Sequence, residues 1–134
     1  MSGDKAALDA VMKGAIDAGA LKAAPLAVSG AFHTTRMEPA ARGLAAALSA
    51  ATLRPPRIPV VSNVTGRPFP ADPAEIASLL AAQLTQPVLW EQSVRWLLSA
   101  GRGQLHEVGP GVQIKAMVKR IDPEAWRTFK NTAC

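Results

Sequence analysis

Apolar residues recur along this chain at two spacings, one suited to helices and one to short strands. Leu8, Val11, Met12, Ala15 and Ile16 fall on one face of a helix predicted over residues 4–18, with Asp4 as its cap and Gly19 as its stop. The apolar run 24–28 ends in Ser29-Gly30 and predicts a strand. A second helix is predicted over 36–51, with Met37, Ala41, Leu44 and Leu48 inward, and Pro55-Pro56 blocks its continuation. Residues 58–64 are apolar and rich in β-branched side chains, so a buried strand is predicted there. Asp72, Pro73 and Glu75 together form a helix start: a cap, a first-position proline and a capping-box partner. That helix carries Ile76, Leu79, Leu80 and Leu84 inward and stops before Pro87. A helix over 90–100 follows, with Val94, Leu97 and Leu98 inward. A short strand over 105–108, a turn at Gly109-Pro110-Gly111 and a helix over 112–120 come next, and Asp122-Pro123 begins one more short helix.

Strands alternating with helices predict an α/β fold with a parallel sheet. The length, 134 residues, suits one domain, and neither a repeat nor a low-complexity linker interrupts it. Three short strands are few for a sheet covered on both faces, so the pattern is that of part of a larger α/β protein. With apolar helix faces lacking a complete sheet to cover, the isolated chain is expected to be marginally stable or prone to aggregate.

Composition narrows the partners. The net charge is +5, spread along the chain, which favours an acidic partner or a phosphorylated ligand. With no tyrosine and three phenylalanines there is no platform for stacking bases, so nucleic acid is not expected as a partner. The single cysteine, Cys134, allows no internal disulfide, and with two histidines it cannot complete a zinc site; no metal is expected. No apolar run approaches the ~20 residues of a membrane span, and the first residues lack a signal-peptide layout.

His33 is the residue best suited to chemistry. It follows a predicted strand end, where ligands gather in open α/β sheets, and a histidine there can act as a general base; from position alone, a histidine that simply bonds a loop carbonyl is the more ordinary reading. The Gly109-Pro110-Gly111 turn precedes a helix but lacks the lysine and hydroxyl of a phosphate loop, so it is taken as a tight turn. His106 suits a surface strand position. Lys115, Lys119 and Arg120 make the following helix basic, a solvated face that could also steer an acidic partner.

Four blocks carry a family resemblance. Gly30-Ala31-Phe32-His33-Thr34 with Met37-Glu38-Pro39, then Pro59-Val60-Val61-Ser62-Asn63-Val64, then Gln83-Leu84 with Gln86-Pro87-Val88 and Trp90, then Glu107-Val108-Gly109-Pro110-Gly111, occur in this order. Together they resemble the malonyl-CoA:acyl-carrier-protein transacylases and cover about three quarters of the chain. The resemblance implies an α/β-hydrolase-like acyltransferase core, with residues 29–134 as its C-terminal part. Residues 1–28 would be the end of a ferredoxin-like smaller subdomain.

The implied reaction moves a malonyl group from coenzyme A to a serine, then to the phosphopantetheine thiol of acyl carrier protein. His33 matches the base that activates serine and thiol. Gln83 matches the residue whose backbone carbonyl orients that histidine, as an aspartate does in other triads. Phe32 matches a position associated with preference for malonyl over branched units, although loop packing explains a ring there equally well. Asn63 could line the pocket but suits a strand end better. No bound cofactor is implied; malonyl-CoA and phosphopantetheinylated acyl carrier protein are the substrates.

The departures are as informative. Gly-x-Ser-x-Gly occurs nowhere, so the nucleophile is absent, and no arginine can be assigned to the malonate carboxylate. The chain is therefore expected to be a C-terminal segment, inactive alone, that needs an N-terminal half and is a monomer when complete. The alternative expectation is a non-catalytic fragment that binds acyl carrier protein. The 113–120 run and the residues around Trp126 and Phe129 look most like plastid-type members, which implies a plastid stroma in preference to a mitochondrion.

Overall fold

The computed structural model describes residues 2–101 and 104–133; Cys134 lies outside them. The architecture is α/β, with helices and a small parallel sheet. The chain divides into two compact units: Met1–Ile58 with Phe69–Val88, and Pro59–Pro68 with Leu89–Cys134.

The first unit contains α1 (Lys5–Asp17), a 3-10 turn (Thr35–Met37), α2 (Glu38–Ser49) and α3 (Pro73–Ala82). The helix predicted over 36–51 thus opens with a separate 3-10 turn. Thr34 accepts from the Arg36 N–H there, and Pro39 sits in the first turn of α2. Asp4 does not cap α1 through its side chain, because its carboxylate is taken by the Arg36 guanidinium. Asp72 does cap α3, accepting from the Ala74 N–H at 3.1 Å with Pro73 at the first position. Ile76 of α3 is buried, and α2 and α3 pack together.

Two predicted strands do not form. Residues 24–28 form no strand pairing among the described residues; Val28 N–H instead donates to Leu26 O at 3.0 Å within the run, and Leu26 and Val28 stand open to solvent. An extended run becomes a strand only when an adjacent chain supplies donors and acceptors. Residues 58–64 yield one antiparallel bridge, Val61 to Pro68, inside a tight loop. Pro68 has no N–H to extend the ladder. The loop instead closes through Ser62 N–H to Arg67 O at 2.8 Å and Gly66 N–H to Ser62 O at 2.9 Å.

The second unit contains α4 (Trp90–Ser99), β1 (His106–Val108), α5 (Gln113–Ile121), α6 (Pro123–Thr128) and β2 (Lys130–Thr132). β1 and β2 pair in parallel, His106 opposite Lys130. The pattern gave no hint of β2, whose Lys-Asn-Thr side chains are all exposed. Val94, Val118 and Phe129 form the core here, with Trp90, Leu98, Ile114 and Trp126 packed around them. Gly66 is required by space as well as by backbone: its φ is +62°, and a β-carbon there would lie 2.7 Å from Gln92 Cβ.

The turn between β1 and α5 has a specific construction. The Glu107 carboxylate accepts from the N–H groups of Ile114 at 3.1 Å and Lys115 at 3.2 Å, capping α5 from the neighbouring strand. Gly109 and Gly111, both at positive φ, let the chain turn back tightly enough for this. A carboxylate therefore occupies the helix N-terminus that a phosphate loop would need open. Asp122 caps α6 in turn, accepting from Glu124 and Ala125 N–H, each at 2.9 Å.

Candidate active site

His33 lies in the first unit, on the loop between residue 28 and the 3-10 turn, with its side chain exposed. It has φ 63° and is the non-glycine residue with positive φ among the described residues. A left-handed backbone is uncommon outside glycine, and such residues persist where surrounding bonds hold them. Here the His33 N–H donates to Leu84 O at 2.9 Å. Imidazole Nδ1 lies 2.9 Å from Gln83 O and 3.1 Å from Gln86 O. A carbonyl oxygen only accepts, so Nδ1 carries the proton, and in the neutral ring Nε2 keeps its lone pair.

The end of α3 shapes this arrangement. Leu84 N–H turns back to Ala81 O at 3.3 Å, and the N–H groups of Thr85 and Gln86 both reach Ala82 O at 3.0 Å. The donors of the turn are thereby consumed by the helix, and the carbonyls of residues 83, 84 and 86 face His33. Pro87 ends the helical path. On the other side, Thr34 Oγ1 donates to Ala31 O at 2.7 Å and accepts from Arg36 N–H at 3.3 Å, which tightens the loop directly after the histidine.

Of the residues singled out in the sequence, His33 and Gln83 come together, and Phe32 directly precedes His33 in the chain. The half-buried Phe32 ring folds back over Gly30: a β-carbon there would meet the ring at 3.5 Å and Met37 Sδ at 3.7 Å. Asn63 belongs to the second unit, where its backbone O accepts from Leu89 N–H at 2.8 Å. His106 is exposed on β1, 3.2 Å from Gln104 Oε1. On α5, Lys119 is placed over the Trp126 ring at 4.4 Å, while Lys115 is half-buried. Sequence reasoning missed the positive φ of His33 and the Gln86 carbonyl. The proline after Gln86 was the available signal for the latter, since it disfavours helical backbone at the preceding residue.

A groove of about 500 Å³ runs between α2 and α3, lined mainly by Ala45, Leu48, Ala74, Ala77 and Ala81. None of the site residues lines it. Among the described residues no helix is long and apolar enough to cross a membrane, and no cluster of three potential metal ligands occurs.

Comparison with known proteins shows what the chain as a whole is similar to. No protein-family model matches the chain. The human mitochondrial malonyl-CoA-acyl carrier protein transacylase is 44% identical over 108 residues, covering 78% of this chain and 27% of its own length. The malonyl CoA-acyl carrier protein transacylase of Salmonella typhimurium is 39% identical over 121 residues, covering 90% of this chain and 39% of its own. The chain is homologous to the malonyl-CoA–acyl carrier protein transacylases. A malonyl-transacylase whose structure was solved in complex with a type II polyketide acyl-carrier protein superimposes on this transacylase relative with a TM-score of 0.87 at 36% identity. The match covers 98% of this chain and 41% of that one. The chain thus spans between 27% and 41% of the length of these transacylases.

Proposed function

We propose that this chain supplies the general-base part of a malonyl-CoA:acyl-carrier-protein transacylase. The observation that carries the reading is the hydrogen-bonding of His33: Nδ1 bound to the carbonyl of Gln83 at 2.9 Å leaves Nε2 as the basic nitrogen. A base oriented this way takes the proton of a serine as it attacks the malonyl thioester and returns it to the leaving coenzyme A thiol. It then takes the proton of the phosphopantetheine thiol as that thiol attacks the malonyl-serine ester, and returns it to the serine. The serine comes from residues outside this chain, which has no Gly-x-Ser-x-Gly. Phe32 bounds the room beside His33, and Asn63 acts structurally through its backbone. Residues 29–134 belong to the acyltransferase core, a reading supported by the four sequence blocks that all lie within them, and residues 1–28, which precede those blocks, to the smaller subdomain.

Acyl carrier protein is the partner in this reading, supported by the relative solved with such a protein and by the chain's net charge of +5. The compartment is an organelle, a plastid in preference to a mitochondrion. The plastid-like 113–120 run supports the first, and the mitochondrial names of the human and mouse relatives support the second.

The test is a chimera in which this chain replaces the matching segment of the Salmonella typhimurium transacylase. Malonyl transfer from coenzyme A to acyl carrier protein by the folded chimera is the expected result. A folded chimera that loads no malonyl group onto its serine and transfers none overturns the reading.

A further inference from the structure

We propose that Gln86, followed by Pro87, is a second positioning residue for His33, so that two backbone carbonyls share the Nδ1 proton. Three observations lead there. Gln86 O lies 3.1 Å from Nδ1, close to the 2.9 Å of Gln83 O. Leu84 O, between them in sequence, holds the His33 backbone N–H at 2.9 Å and so fixes the left-handed conformation that aims the ring. Pro87 follows directly and disfavours helical backbone at residue 86, which narrows where its carbonyl can point. One turn at the end of α3 therefore grips both the backbone and the ring of the same residue.

The arrangement has an electrostatic consequence. A Ser-His-Asp triad places one full negative charge beside the imidazole. Here two carbonyl dipoles converge on the same N–H. They stabilise the ring as it becomes positively charged during proton transfer, with no ionisable partner to titrate. The shared bond also keeps Nδ1 occupied if the ring swings toward either acceptor, so Nε2 stays the free nitrogen throughout.

This inference rests on His33 as the base, but its test needs neither substrate nor serine, so its failure is distinguishable from failure of the transacylase reading. The full chain labelled with ¹⁵N-histidine gives two imidazole signals, and the exposed His106 serves as the internal control. His33 is expected in the Nδ1–H tautomer. Replacing Pro87 by an α-hydroxy acid turns the Gln86 carbonyl into an ester carbonyl, a weaker acceptor. Proline has no N–H, so no donor is lost with it. The His33 Nδ1–H signal is expected to move upfield, with solvent exchange faster by roughly fivefold, the contribution of one neutral hydrogen bond. Gln86→Ala, which leaves the carbonyl in place, keeps the signal unchanged. If the ester chain does not fold, Pro87→Ala, which lifts that restriction on residue 86, is read by the same exchange rate, with faster exchange expected. An Nε2–H tautomer at His33, or an Nδ1–H signal indifferent to the change at residue 87, overturns the proposal.

Discussion

The two units of this chain are held together differently. Among the described residues, the unit that carries His33 buries one large hydrophobic side chain, Ile76, whereas the other buries Val94, Val118 and Phe129 in one cluster. In the first, the site is made by backbone hydrogen bonds at a helix end, and the α1 face stays partly open, with Val11 and Ile16 exposed. In the second, a small core is reinforced by carboxylate caps on α5 and α6. The difference shows that chemical geometry and packing strength need not coincide. A helix terminus with consumed donors can orient a histidine without a deep core beneath it.

This contrast can be broken by substitution, read region by region through amide exchange and by thermal melts. Phe129→Ala has the largest expected effect: it empties the core of the second unit and costs about 3–5 kcal/mol there. Gly66→Ala follows, at about 2 kcal/mol or more, because the added β-carbon lands 2.7 Å from Gln92 Cβ at a positive φ. Glu107→Ala removes two capping bonds from α5 and is expected to cost about 1–2 kcal/mol, seen first as faster exchange at Ile114 and Lys115. In the first unit, Asp72→Ala removes a single cap from α3 and is expected to cost about 1 kcal/mol. Val11→Ala, on the open face of α1, changes stability by less than about 0.5 kcal/mol. An α1 substitution as costly as Phe129→Ala would show that the first unit has a core of its own, and the contrast would fall.

The sequence made helices legible where local rules start or stop them. Asp72-Pro73 starts α3, Asp122-Pro123 starts α6, and Gly19, with φ 93°, follows α1. Strands were legible only where a partner exists within the chain. The run at 105–108 finds β2, whereas 24–28 and most of 58–64 find no ladder. β2 itself escaped notice because Lys130, Asn131 and Thr132 carry no apolar period; it is recognised by its pairing with β1. For the site, the position of His33 and its link to Gln83 were legible through a family resemblance. The grip on His33 was not, since Gln83, Leu84 and Gln86 act through carbonyls, which every residue possesses. Asp4 looked like a cap because its local context is that of a cap; a partner 32 residues away, Arg36, decided otherwise.

The most direct test of the account is His33→Ala in the chimera with the Salmonella typhimurium transacylase, assayed for malonyl transfer to acyl carrier protein beside the unchanged chimera. If His33 is the base, the rate falls by about 10²- to 10⁴-fold while the chimera stays folded. A folded His33→Ala chimera that transfers malonyl groups at the unchanged rate would contradict it.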